Sequence, residues 1–287
     1  MKGGKTDTAK PFVKWVGGKT QLLSQLTPLF PRKFGRYFEP FLGGGAVFFA
    51  IRPVRATIND INQTLVATYA RLRDDAPGVI RDLQKINRKF SNEDAEERRA
   101  TYYAVRERYN ALPPDSPARV PLFLFLNRTA FNGVYRENSK GHFNVPVGSY
   151  LNPRIVDEGN LRLASAALSG AKISNLPFEE SVADAKRGDF VYFDPPYHPI
   201  SRTSSFTGYS KGSFGEADQV RLRDLFVKLH KKGVRVMLSN SNAPLIRKLY
   251  ADFRQVPVSA SRMVNAKADR RGKITELVIL SYDPART

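Results

Sequence analysis

From residue 36 to residue 60 the chain reads strand, glycine corner, helix, strand, acid, and few folds accommodate that order. Residues 36–41 form a short apolar strand that runs into Gly43, Gly44 and Gly45; residues 46–51 start a helix, and residues 56–59 make a second strand ending at Asp60. A strand that turns through glycines into a helix and returns as a strand is the repeating unit of an α/β sheet. The pattern resumes with strands at residues 171–176 and 189–193, the second a continuous apolar run suited to a buried position. Leu222, Leu225, Phe226 and Leu229 fall at helical spacing in a helix over residues 216–231 that Gly233 closes, and residues 234–238 follow as a strand. Residues 253–258 and 276–282 supply two late strands, candidates for an antiparallel pair. Ahead of the corner, residues 19–30 put Leu22, Leu23, Leu26 and Phe30 on one helical face, which Pro28 ends early.

Between about residues 63 and 166 the character changes to charged helices such as residues 95–110, a break at Pro113 and Pro114, and a polar, glycine-punctuated stretch over residues 127–150. We read this as an inserted domain. Within it, residues 134–138 and 142–146 flank Ser139, Lys140 and Gly141, a three-residue hairpin turn that predicts a projecting ribbon. The expected organisation is therefore one domain from residues 1–62 and 167–287 and a second, inserted domain over residues 63–166.

Composition narrows the chemistry. Across 287 residues, 46 Lys and Arg face 27 Asp and Glu, a net charge of +19 that suits a polyanionic partner, nucleic acid first among them. There is no cysteine, which excludes disulfides, thiolate nucleophiles and cysteine-ligated zinc together, and with them zinc-type base deamination and covalent attack on cytosine. His142, His198 and His230 are widely separated and match no metal-ligand spacing, so no metal is expected. The N-terminal residues lack an apolar signal region and no apolar run is long enough to span a bilayer, so the expected address is cytoplasmic, with no membrane partner.

The glycine corner is what a nucleotide-like ligand needs when backbone must approach it at a helix N-terminus, and it equally suits tight strand-to-helix packing. Asp60, about 17 residues on at the end of the next strand, favours the ligand, because its carboxylate can accept hydrogen bonds from both ribose hydroxyls. No Gly-Lys-Ser/Thr is present here, which disfavours a triphosphate. Asp194, Pro195, Pro196 and Tyr197 follow the apolar strand directly. At the carboxyl end of such a strand, two prolines hold a carboxylate, a backbone carbonyl and an aromatic face in fixed directions. An exocyclic amino group has two N–H bonds and needs two acceptors, with its ring stacked on the tyrosine.

Taken in order, Lys14-Trp15-Val16-Gly17-Gly18-Lys19, Glu39-Pro40-Phe41-Leu42-Gly43-Gly44-Gly45, Asn59-Asp60-Ile61-Asn62 and Asp194-Pro195-Pro196-Tyr197 resemble the motifs of Dam-type DNA adenine methyltransferases, the D12 class or alpha group. The resemblance spans nearly the whole chain. It extends to the insert, where Asn127-Arg128, Phe131-Asn132-Gly133, Arg136 and Gly141-His142-Phe143-Asn144-Val145-Pro146 are similar to that family's target-recognition hairpin.

The resemblance implies a Rossmann-like, S-adenosylmethionine-dependent methyltransferase sheet with an inserted, mainly helical target-recognition domain carrying a β-hairpin. By the same resemblance, Trp15, Gly17 and Lys19 line the methionine side of the cofactor site, Asp60 and Ile61 its ribose side, and Glu39, Phe41, Gly43 and Gly45 the corner beside it. Phe178 covers the cofactor adenine or is a core aromatic, and Asp194 lies between cofactor and base. For DNA, Arg136 resembles the family's guanine-reading arginine, whose fork matches O6 and N7 in the major groove. Lys14, Val134 and Pro146 match further base-contact positions, and Arg128, Asn138 and Tyr150 further DNA-binding ones. Phe131 and Asn132 match the pair that enters the helix beside a displaced base, with phenylalanine where tyrosine is familiar.

The implied activity is methylation of adenine N6 in double-stranded DNA, by a monomer, at a site suggested by Arg136 to be GATC. Other readings of the pocket are cytosine N4, RNA adenine, a glutamine side chain, or a non-catalytic DNA-binding module with a relic pocket. Aspartate at the head of the motif and the large basic insert favour adenine in DNA, and intact Lys19, Asp60 and Asp194 argue against a relic. The basic run 267–273 reads equally as a phosphate clamp and as a solvated loop.

Overall fold

The computed structural model describes residues 8–200, 214–261 and 273–286. The basic run 267–273 lies outside them except for the backbone of Lys273. The chain divides into two compact units, one made of Met1–Gly18, Gly43–Arg52 and Asn62–Asn175, the other of Lys19–Leu42, Pro53–Ile61 and Leu176–Thr287.

The second unit holds strands β1 (Tyr37–Glu39), β2 (Ala56–Asn59), β4 (Phe190–Phe193), β5 (Arg235–Ser241), β6 (Arg254–Ser261) and β7 (Lys273–Leu280). They run in the order β2-β1-β4-β5-β7-β6; β3 (Ala171–Ser174) falls in the first unit. β1 pairs in parallel with β2 and β4, β4 in parallel with β5, and β7 antiparallel with both β5 and β6. The late antiparallel pair expected from the sequence is thus present.

Phe190, Val191, Tyr192 and Phe193 are all fully buried, as a strand flanked on both edges and covered on both faces must be. β4 starts one residue later than its sequence pattern indicates because Asp189 serves as an anchor instead. Its carboxylate accepts from the backbone N–H of Arg36 at 2.9 Å and from the Arg36 guanidinium at 2.8 Å. Helices α7 (Phe178–Ser181), α8 (Glu216–Lys231) and α9 (Pro244–Leu249) belong to this unit. α8 inserts Leu222, Phe226 and Leu229 into a core shared with Val191, Val236, Leu238 and Ile279. Residues 19–29 form a 3-10 turn, the four-residue α1 (Leu23–Leu26) and a second 3-10 turn, not one continuous helix. Pro28 in the last turn withholds an N–H, which is why the coil tightens there.

The first unit is mainly helical: α2 (Ala46–Ile51), α3 (Gln63–Ser91), α4 (Ala95–Ala111), α5 (Arg119–Thr129) and α6 (Glu158–Leu168). Asn62 caps α3 by accepting the Leu65 N–H at 3.1 Å, and Asp94 caps α4 in a reciprocal box with Glu97. α3 passes Pro77 by kinking at Asp75, whose φ of −147° is not helical, and whose Oδ1 then receives the Gly78 N–H at 2.9 Å. α5 is apolar on every side from Val120 to Leu126, with Phe123, Phe125 and Leu126 fully buried, so it forms this unit's core against α3 and α4.

Residues 134–146 do not form the regular ladder that their pattern suggests. A single antiparallel bridge joins Glu137 and Phe143, supported by Asn138 N–H to His142 O and Asn144 N–H to Arg136 O. The turn itself matches the sequence, with Gly141 at φ +75°. Asn138 explains why side-chain bonds replace ladder bonds: its carboxamide oxygen accepts the N–H groups of Lys140 and His142 at 2.9 and 3.1 Å.

Candidate active site

In the sheet unit the chemistry gathers at the carboxyl end of β4. Because β4 pairs with β1 on one side and β5 on the other, the residue that follows it, Asp194, emerges at mid-sheet. The carboxylate lies 2.8 Å from Lys19 Nζ, and only 17% of the Asp194 side chain and 6% of the Lys19 side chain remain exposed. Burial pushes the Asp194 carboxyl up to about 6 from the ordinary aspartate range, Glu276 adds to the rise, and the Lys19 ammonium opposes it.

The same ammonium sits 4.8 Å from the centre of the Tyr197 ring. The Tyr197 hydroxyl donates to Glu276 Oε2 at 2.7 Å. Burial, then the charges of Asp194 and Glu276, drive that phenol far above its usual range, so it stays a neutral donor. Among the described residues no donor reaches the Pro195 carbonyl, whereas the Pro196 carbonyl accepts from Gln219 Nε2 at 3.0 Å. Lys19, Asp194 and Tyr197 thus come together at the end of β4. Glu276, which sequence reasoning missed, joins them from β7, 79 positions from Tyr197.

Around this centre, Asn59 is fully buried and its amide ties the segments that flank Asp60. Nδ2 donates to Pro40 O and Leu176 O, each at 3.0 Å, and Oδ1 accepts the Leu176 N–H at 2.9 Å. Asp60 is half-buried just beyond β2, and Ile61 is exposed. Glu39 is buried and accepts the Tyr37 hydroxyl at 2.7 Å. Phe41 and Phe178 have ring centres 5.4 Å apart, and both pack against Phe214. Phe178 is buried within the core cluster.

In the helical unit, Trp15 stacks on Tyr135 at 5.3 Å. Gly43 (φ +50°) has no room for a side chain, because a Cβ there would come within 3.0 Å of the Trp15 ring. Gly45 (φ +71°) precedes α2, and a Cβ would meet the Tyr69 hydroxyl at 2.9 Å. Gly17 is exposed. The corner therefore requires glycine on geometry alone.

The residues matched to DNA contacts are also in this unit. Arg136 is exposed; its Nε donates to Asn144 Oδ1 at 2.8 Å and its Nη2 to the Asn144 carbonyl at 3.4 Å. Lys14 Nζ lies 4.5 Å from the centre of the exposed Tyr150 ring. Phe131 is 53% exposed beside Asn132, which takes a left-handed φ of +53°. Val134 is half-buried, and Pro146 is exposed while its carbonyl accepts the Phe131 N–H at 2.9 Å. Two of the set are engaged within the unit. Arg128 turns to the Phe12 carbonyl at 2.7 Å, where burial lowers its pKa, and the Asn138 side chain is occupied by its own turn. Among the described residues no cluster of His, Asp or Glu could hold a metal ion, and no helix is long and apolar enough to cross a membrane.

A mixed α/β sheet with its seventh strand antiparallel between the fifth and sixth defines the class as an α/β methyltransferase fold. More particularly, residues 15–264 match the family of D12 class N6 adenine-specific DNA methyltransferases, and the chain belongs to that family. It is 44% identical to a type II methyltransferase of Lactococcus lactis subsp. cremoris, over 95% of each chain. It is equally 44% identical to a type II methyltransferase of Methanocaldococcus jannaschii, covering 95% of this chain and 99% of the other. A DNA adenine methylase of Haemophilus influenzae is 34% identical over 94% of this chain and 93% of its own. An adenine-specific methyltransferase acting on DNA accounts for the large positive charge without further assumption.

Proposed function

We propose that the protein transfers the methyl group of S-adenosylmethionine directly to N6 of an adenine flipped out of duplex DNA, at GATC. The observation that carries this reading is the corner after β4: a buried carboxylate paired with Lys19, an adjoining carbonyl that no donor reaches among the described residues, and a tyrosine ring held at its hydroxyl. An amino group inside a stacked pair cannot meet a donor, so the base must leave the helix.

The residues present suit such a cofactor. Asp60 offers ribose acceptors, Asp194 a negative charge for a sulfonium, and Gly43 and Gly45 a corner stripped of side chains. Trp15, Gly17, Lys19, Glu39, Phe41 and Ile61 complete the set that would hold it. When bound, S-adenosylmethionine supplies an electrophilic methyl on a positively charged sulfur. The chain's own part is positional and electrostatic. Asp194 Oδ and the Pro195 carbonyl accept the two N6 hydrogens and so localise the nitrogen lone pair, while Tyr197 stacks on the ring. N6 must shed a proton as its new bond forms. A carboxylate whose pKa stands at about 6 is a better acceptor for that proton than an ordinary aspartate.

We assign recognition to residues 63–166 and catalysis to residues 1–62 and 167–287, in a monomer working on double-stranded DNA in the cytoplasm. The exposed Arg136 fork reads a guanine, Phe131 and Asn132 enter beside the displaced base, and Lys14, Val134, Pro146 and Tyr150 support them. Incubation with methyl-labelled S-adenosylmethionine and duplex DNA, followed by sequencing for N6-methyladenine, tests substrate, product and site in one experiment. Label confined to cytosine, or no label at all, would refute the reading. A second expectation concerns Arg136. A bidentate guanine contact carries about 1–3 kcal/mol of discrimination, so Arg136→Ala should lower GATC preference roughly 10-fold over single-base variants of the site. Unchanged relative kcat/KM values across those duplexes would remove the residue from recognition.

A further inference from the structure

Two side-chain amides are sealed inside the sheet unit behind the catalytic corner. Gln219 stands in the first turns of α8 and Asn240 lies within β5, and both are inaccessible to solvent. A buried amide is unfavourable unless its two donors and its acceptor find partners. Here the partners form one chain. Asn240 Nδ2 donates to Gln219 Oε1 at 2.9 Å, and Gln219 Nε2 donates to the Pro196 carbonyl at 3.0 Å. Asn240 Oδ1 accepts the N–H groups of His198 at 3.2 Å and Ser241 at 2.8 Å. Ser241 Oγ in turn donates to the His198 carbonyl at 2.6 Å.

The consequence is specific to one residue. The backbone is held at Pro196, immediately before Tyr197, and twice at His198, immediately after it. With the phenol fixed on Glu276, the ring is restrained at both ends. Apolar side chains of similar size would fill the same space with no amide to desolvate, so the couple does more than pack.

We infer that Gln219 and Asn240 are positioning residues for methyl transfer. They set the plane of the Tyr197 ring and, through the rigid Pro195-Pro196 link, the direction of the Pro195 carbonyl. This rests on the proposed function of the corner and adds two residues that touch neither base nor donor. A displacement of about 1 Å in the reacting geometry costs up to roughly 10²-fold in rate, so loosening the loop should show in the chemical step.

The test is single-turnover methyl transfer from S-adenosylmethionine to a GATC duplex, normalised to titrated active sites, for wild type, Gln219→Met, Ser241→Ala and Asp194→Ala. Gln219→Met keeps size and helix preference but removes both amide bonds. It should slow transfer per active site by about 10-fold while the dissociation constant for S-adenosylmethionine stays within about twofold. Leu229→Ala, a core truncation further along the same helix, is the control for lost stability and should leave the rate per active site unchanged. A Gln219→Met rate equal to wild type, or a Leu229→Ala rate reduced as much, would overturn the inference. If Gln219→Met does not fold, Ser241→Ala decides. It removes only the hydroxyl bond to His198, and a rate below wild type supports positioning while an unchanged rate refutes it. Wild type that fails to methylate adenine, or Asp194→Ala that methylates normally, would instead refute the underlying reading.

Discussion

Replacing Asp194 with alanine is expected to slow adenine methylation by roughly 10³-fold, the scale of losing a preorganised charged group at the reacting atom, while the protein remains folded. The Asp194 carboxyl is pushed up to about 6, so the folded protein holds that proton more tightly than the unfolded chain does. The resulting cost to stability appears as pH rises through the ordinary aspartate range and is complete above about pH 6. At neutral pH, alanine removes the cost together with the Lys19 ion pair that partly offsets it. The two changes oppose each other, and the thermal midpoint should stay within about 4 °C of wild type, the equivalent of roughly 1 kcal/mol or less. Labelled-methyl transfer and calorimetry on the same preparation check both halves. Near wild-type transfer by a folded Asp194→Ala protein would take Asp194 out of the mechanism, and a cooperative transition lowered by tens of degrees would make its role structural.

The parts of this site that could be read in sequence are those whose physics is local. The β1 corner declares itself because glycine alone fits beside Trp15 and Tyr69, and β4 because four consecutive apolar residues end abruptly at Asp194. α8 shows its buried face in its spacing. The supporting partners are not local. Glu276, Gln219 and Asn240 lie on β7, α8 and β5, and only the sheet order brings them to the Asp-Pro-Pro-Tyr segment. One signal was present. Residues 234–238 read as a strand that should stop where Ser239, Asn240 and Ser241 begin, yet β5 continues through Ser241 with all three buried. Polar residues that extend an apolar strand into the core have partners there, and these serve the loop after β4 and, through Ser239, the Tyr192 hydroxyl at 2.8 Å. Elsewhere side chains overrode pattern. The kink at Asp75 lets α3 pass Pro77, and the carboxamide of Asn138 takes N–H groups that a regular hairpin would give to a ladder.

Lys19→Met should move the acid limb of the pH–rate profile upward, and the direction can be worked out from the groups present. On the proposed mechanism transfer by wild type needs the Asp194 carboxylate, so kcat/KM should fall about tenfold per pH unit below the carboxyl pKa of about 6. Burial and Glu276 both favour the protonated acid, and the Lys19 ammonium at 2.8 Å opposes them. Without that ammonium the opposing influence disappears. An adjacent opposite charge typically lowers a carboxyl by 1–3 pH units, so the limb should rise by roughly that amount. At pH 6.5 the variant should then be roughly 3- to 240-fold slower than wild type, with much of the difference recovered toward pH 9 as the carboxyl ionises again. Lys19→Arg, which keeps a cation in place, should leave the limb near its wild-type position. A residue that served only to hold the donor would behave differently, weakening S-adenosylmethionine binding equally at every pH. Profiles of kcat/KM measured at saturating donor from pH 5.5 to 9 separate the two, and an acid limb unmoved in Lys19→Met would mean that the ion pair does not govern the charge of Asp194.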